Sequence, residues 1–190
     1  MGHDGLLLEV DDPAAWYRAL VEARRQGAIS AVEIVPAAST VLVTGIADLN
    51  QASKTLEALQ PRAQTAAVGE VEIPVHWDGE DLDEVAEKWN QRPEEVLKAT
   101  EFSVAFCGFA PGFAYLTGLP ERLHLPRRAT PRTRVPKGSL ATAGPYVGIY
   151  PSATPGGWHL LGHTDITLFD VARAEPARLT PGTSVRFTDA

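Results

Sequence analysis

Residues 102–170 constrain the fold more than any other stretch, because their short β-like runs are interrupted every few positions by Gly or Pro. Gly admits backbone conformations closed to other residues and Pro removes an amide donor, so no long helix forms there. Runs of β-branched and aromatic residues predict strands over 103–107, 140–143, 147–150, 158–163 and 166–169, with a last one over 184–187 after the Pro181-Gly182 turn. That number of strands suffices for a closed barrel, which leaves no exposed edge. A unit of this kind carries its function on its loops.

The preceding residues alternate differently. A strand over 6–10 leads into a helix over 12–26, with Asp11 or Asp12 as N-cap, Pro13 at the first helical position and Gly27 at the stop. Strands over 31–35 and 40–45 flank a turn at 36–39, a second helix covers 48–60 and stops at Pro61, and a further strand covers 71–75. The order βαββαβ predicts a ferredoxin-like domain over residues 1–77. Such a scaffold says nothing about activity. Over 78–101 the pattern is helical: Asp81 caps a helix with Leu82, Val85, Ala86 and Trp89 on its apolar side, and Pro93 opens a second that buries Val96 and Leu97. These helices lead into the barrel as a second domain over 78–190, and the fold class is α+β.

Charge separates the two parts. Residues 1–101 hold 8 basic and 19 acidic side chains, a net −11, whereas residues 102–190 hold 9 basic and 5 acidic, a net +4. The overall −7 argues against non-specific binding to nucleic acid. Six of the nine later basic residues, Arg122, Arg127, Arg128, Arg132, Arg134 and Lys137, fall in one short segment. The single Cys excludes an internal disulfide framework, MGHDGLLLEV lacks the pattern of a signal peptide, and no apolar run reaches bilayer length. The expected location is therefore a reducing cytoplasm, with no membrane partner.

Three segments hold the candidate chemistry. GFAPGFAYL crowds Phe109, Phe113 and Tyr115 around Pro111 and Gly112; the rings either plug a barrel end or line a cleft. LPRRATPRTRVPKGS places Arg127, Arg128 and Arg132, with the hydroxyls of Thr130 and Ser139, on Pro-stiffened backbone. Guanidinium groups grip carboxylate or phosphate with paired hydrogen bonds, so this loop either holds a small anionic substrate or docks on acidic protein surface such as residues 70–101. Gly156 and Gly157 let the backbone approach a neighbour closely, with Trp158 as a flat wall.

His163, beside Thr164 and Asp165 at a turn, is the candidate acid–base group, with Thr164 as its polar neighbour. The spacing of His159 and His163 suits a metal only on a helix, and Gly162 opposes one, so no metal site is expected. Cys107 is read as a buried structural thiol. The chain lacks a GxSxG elbow, a GxxxxGK[ST] phosphate loop and a CxxC pair.

In order and spacing, IPVHWDGEDLDEVAEKWN, GFAPGFAYLTGLP, LPRRATPRTRVPKGSLATAG, GIYPSATPGGWHLLGHT and LFD resemble one family. It holds the B subunit of the ATP-dependent 5-oxoprolinase, the sporulation kinase inhibitor KipI and proteins labelled allophanate hydrolase subunit 1. The resemblance implies that the barrel is cyclophilin-like. It implies a homologous cyclophilin-like partner, of the 5-oxoprolinase C-subunit or allophanate hydrolase subunit 2 type, and a third protein of the 5-oxoprolinase A-subunit type. It also implies an ATP-dependent amidohydrolase complex that opens 5-oxoproline to glutamate, leaving open which member of the complex holds ATP. Two other roles accompany the family: inhibition of a sensor histidine kinase, and the carboxyltransferase region of urea carboxylase. The chain departs from the family at Ala114, where Pro is common, and at 98–102, where no His precedes the aromatic motif.

Overall fold

The computed structural model describes residues 4–61 and 69–190. It divides into two compact units, Met1–Ala66 and Ala67–Ala190, so the division falls ahead of the strand at 71–75 rather than at 77. No helix among the described residues is long and apolar enough to cross a membrane.

The first unit runs β1 (Leu6–Glu9), α1 (Pro13–Arg25), β2 (Glu33–Pro36), β3 (Thr40–Thr44) and α2 (Leu49–Ala58). Local signals set the helix ends. The Asp12 carboxylate accepts from the Ala15 amide at 2.9 Å and the Asp48 carboxylate from the Gln51 amide at 3.0 Å. Gly27 follows α1 with φ +73°, a left-handed conformation. Helix α2 stops at Ala58, earlier than expected, with Leu59 already extended and Pro61 just beyond. The strands form an antiparallel sheet in the order β1-β3-β2. Val41 and Val43 on β3 and Ile34 on β2 pack with Leu20, Ala23, Ala52 and Leu56 from the helices.

The fourth strand expected for a ferredoxin-like sheet belongs to the other unit. As β4 (Glu70–Val75) it pairs in parallel with β12 (Ser184–Asp189), Ile73 opposite Phe187. Its alternating side chains suit either sheet. What decides is burial: Ile73 and Val75 lie in the second unit's core with Phe102, Leu116 and Phe187. Among the described residues the first sheet therefore has three strands.

The second unit continues with α3 (Leu82–Trp89), α4 (Pro93–Ala99), β5 (Phe102–Cys107), β6 (Ala114–Thr117), β7 (Arg132–Val135), β8 (Ser139–Ala143), β9 (Tyr146–Ile149), β10 (Thr154–Gly156) and β11 (His159–His163), ending in β12. Seven strands form one sheet in the order β11-β8-β9-β6-β5-β12-β4. Its two edges meet at a bridge between His76, just after β4, and His163 on β11. The result is a nearly closed barrel. Helices α3 and α4 cover it, giving Val85, Trp89 and Leu97 to the same core. Strand β8 is buried along its whole length. Leu140 enters the main core, while Ala141 and Ala143 pack with Phe113, Val135, Tyr150 and Trp158.

Two expectations change here. Residues 166–169 are not a strand: Ile166 and Leu168 pack into the main core from an irregular segment, with a single bridge from Phe169 to Ala177. Burial, not pairing, explains their apolar character. Conversely, the basic segment expected to be a loop contains β7, which forms a separate two-stranded ribbon with β10.

Candidate functional site

The ribbon and the aromatic turn enclose a pocket of about 270 Å³. Phe109, Phe113, Tyr115, Tyr150 and Trp158 wall it, with Arg127, Pro131, Pro155, Gly156 and Gly157 completing the lining. After β5 the chain reverses tightly: Ala110 N–H donates to Gly108 O at 2.8 Å and Phe113 N–H to Ala110 O at 2.9 Å. Gly112 has φ +84°, and a Cβ there would lie 2.6 Å from Phe169 Cβ, so only Gly fits the turn. The reversal sends Phe109 and Phe113 to one place. Phe113 is buried and meets Phe109, Tyr115, Tyr150 and Trp158 edge-on, at centroid distances of 5.3, 5.0, 5.4 and 5.5 Å. Phe109 remains 62% exposed and adopts φ +69°, an unusual strain for a non-Gly residue.

On the opposite wall, a Cβ on Gly156 would lie 2.4 Å from the Tyr150 hydroxyl, so Gly lets the Tyr150 ring lie beside β10. Burial raises the Tyr150 phenol above its ordinary pKa, outweighing the nearby positive charge of Arg127. The phenol stays neutral. Arg127 is exposed and makes no ion pair among the described residues. It is the pocket's one cation among the described residues.

Arg128 and Arg132, expected beside Arg127 on an anionic ligand, turn elsewhere. Arg128 Nη1 lies 2.5 Å and Arg132 Nη2 2.8 Å from Asp81 Oδ1. The docking alternative therefore holds for these two side chains. Asp81, expected to cap α3, makes no capping hydrogen bond; its carboxylate turns to the arginines and to the Leu160 amide. Burial alone would raise the Asp81 carboxyl, but hydrogen bonds from Arg132 and Leu160 and the two positive charges bring it below the usual value.

The other expected residues disperse. Pro111 and Thr130 are exposed and do not line the pocket. Ser139 is buried on β8, its carbonyl accepting from the Tyr150 amide at 2.9 Å. His163 ends β11, five residues beyond Trp158 and roughly 16 Å away at strand rise. Its Nδ1 lies 2.8 Å from Asp78 Oδ1. Thr164 is buried and its hydroxyl accepts from the Ile166 amide at 3.3 Å. The structure therefore does not bring His163 and Thr164 to the aromatic cleft. Sequence reasoning missed Pro131, Pro155 and Tyr150 as lining residues, although all three lie within the quoted motifs, and missed Asp81, whose place before a helix mimics a cap.

Asp81, Glu84 and His159 each bring a metal-ligating type of atom within 4.8 Å of the others. Arg128 Nη1 already stands 2.5 Å from Asp81 and 3.6 Å from Glu84, supplying the positive charge there.

Residues 1–179 match the carboxyltransferase domain, subdomain C and D. The chain belongs to that family. Among its curated relatives, the B subunit of 5-oxoprolinase from Escherichia coli O157:H7 is 50% identical over 137 residues, covering 69% of this chain and 61% of that protein. The chain thus spans about three fifths of that relative's length. The solved structure of TTHA0988 superposes with a TM-score of 0.83 at 33% identity, covering 98% of this chain and 40% of that one. Urea carboxylase of Kluyveromyces lactis, at 20% identity and a TM-score of 0.69 over the whole of this chain and 21% of that one, shares the fold.

Proposed function

We propose that this subdomain C and D chain acts as the B-type component of an ATP-dependent 5-oxoprolinase, and that its aromatic pocket takes 5-oxoproline. The observation that carries this reading is the pocket itself: five aromatic rings around about 270 Å³, with one guanidinium, Arg127, at its wall that makes no ion pair among the described residues. A small lactam ring with a single carboxylate matches that chemistry. Its faces stack on rings, its carboxylate pairs with Arg127, and the neutral Tyr150 phenol suits a lactam carbonyl or N–H. The 50% identity to the B subunit of a 5-oxoprolinase supports the same reaction. The chain acts in a cytoplasmic complex, with a homologous cyclophilin-like partner and an A-type component. ATP drives ring opening in that complex. On this reading the acid–base group comes from a partner, because His163 and Thr164 lie away from the pocket.

The family's carboxyltransferase description favours a second reading, in which the same pocket serves carboxyl transfer. One assay separates them. The chain assembled with its partner subunits, ATP and 5-oxoproline should release glutamate; absence of turnover in the complete mixture overturns the first reading.

A further inference from the structure

Asp81 is a buried carboxylate outside the pocket, and each hydrogen bond of its side chain runs to a segment that builds a pocket wall. Oδ2 accepts from the Leu160 amide at 2.7 Å, and the Asp81 amide donates to Leu160 O at 3.0 Å. Leu160 lies two residues beyond Trp158, on the strand that follows Gly156 and Gly157. Oδ1 accepts from Arg128 and Arg132, the residues next to Arg127 and Pro131. The two segments are also tied to each other. The Arg128 amide donates to Gly157 O at 2.8 Å, and Arg132 Nη1 to Trp158 O at 3.4 Å.

We propose that Asp81 is a positioning residue for the pocket: its carboxylate fixes the spacing between segment 127–132 and segment 156–160, and so holds Arg127 at a set distance from Trp158. The proposal rests on the reading that this pocket binds the substrate. A helix cap does not explain Asp81, since it makes no capping hydrogen bond. A carboxylate is required because both oxygens accept. An Asn at this place accepts on one side only; its NH₂ group would face either the Leu160 N–H or the guanidinium donors, setting donor against donor. Removing the charge also leaves Arg128 and Arg132 side by side without their shared partner.

The test uses Asp81→Asn in the assembled complex, with two readouts. Hydrogen exchange followed by mass spectrometry should show faster exchange, by about tenfold or more, in peptides covering 126–132 and 156–161, with peptides covering 102–117 unchanged. Steady-state kinetics should show the KM for 5-oxoproline raised about tenfold with kcat within about twofold, since a displaced wall weakens ground state and transition state alike. Asp81→Glu, which keeps both acceptors, should recover part of the KM. Unchanged exchange in the two segments overturns the proposal, as does acceleration spread evenly over the second unit, which would mark a general stability role. If Asp81→Asn does not fold, Arg132→Gln removes one of the arms and should give the same local pattern at smaller amplitude; a uniform pattern there overturns the proposal equally. If the wild-type complex does not turn over 5-oxoproline, the substrate reading fails, whereas the exchange comparison still decides the role of Asp81.

Discussion

His76 and His163 exchange two main-chain hydrogen bonds, His76 N–H to His163 O at 2.8 Å and His163 N–H to His76 O at 2.9 Å, and their rings stack with centroids 4.7 Å apart. This pair is the seam between the two edge strands of the seven-stranded sheet. Gly162 makes the close approach possible: a Cβ there would lie 2.3 Å from His76 O, a backbone atom that cannot move aside alone. Gly162→Ala is expected to cost about 1–3 kcal/mol by forcing the seam apart. Urea unfolding of the chain checks this, and an unchanged midpoint would show that the seam is not needed for closure.

The same seam gives His163 a structural role. Its ring is held by His76 on one side and by Asp78 on another, at the far end of β11 from Trp158. His163→Gln is expected to lower the unfolding midpoint while leaving the KM for 5-oxoproline unchanged. A fall in kcat of about a hundredfold or more, at normal stability, would instead assign it the acid–base role that its turn position suggested.

Local signals made much of this chain legible. Capping Asp residues, Pro13, Gly27 and β-branched alternation located both helices and the strands of the first unit within a few residues. The aromatic, basic and Gly-Gly motifs named seven of the ten lining residues, because rings and glycines crowded into turns have few places to go. What stayed hidden was long-range. Residues 70–75 fit either sheet by alternation, and only Phe187, more than a hundred positions later, decides their partner. Arg127 and Arg128 look equivalent as neighbours, and only Asp81, 47 residues before Arg128, separates a pocket cation from a docked one.

That separation is measurable. Arg127→Ala is expected to change stability by no more than about 0.5 kcal/mol, since the side chain is exposed and makes no ion pair among the described residues. It should raise the KM for 5-oxoproline by roughly ten- to a hundredfold, the worth of a charge-assisted hydrogen bond of about 1.5–3 kcal/mol. Arg128→Ala is expected to destabilise the fold by about 1–3 kcal/mol, because buried Asp81 then keeps Arg132 alone. Equal effects of the two substitutions on KM and on stability would contradict the division.

Cys107 provides a check on local burial. Desolvation pushes its thiol up to about 11, and its Sγ lies 3.5 Å from Leu179 O. At pH 8 roughly one thiol in a thousand is then ionised, well below an ordinary cysteine. Iodoacetamide at pH 8 should label the folded chain far more slowly than the urea-unfolded chain. Rapid labelling of the folded form would place the thiol in solvent and reopen a nucleophilic role.

The Asp81 carboxyl ties the pocket's support to pH. Burial acts to raise its pKa, but the hydrogen bonds from Arg132 and Leu160 and the arginine charges outweigh burial, so the folded value lies below the ordinary carboxylate value. With the folded pKa depressed, the stabilisation is complete above the unfolded value of about 4 and is lost as pH falls through the folded one. Below about pH 4 the unfolded chain takes up the proton first, so each further drop in pH favours unfolding. Asp81→Asn has no proton to gain at this position. The stability difference between wild type and variant, followed by urea unfolding from about pH 6 down to about pH 2.5, should be constant above about pH 5 and shrink steadily below about pH 4. A difference that stays constant throughout would mean that Asp81 keeps its proton equilibrium on folding, and that the arginine clamp does not depend on its charge.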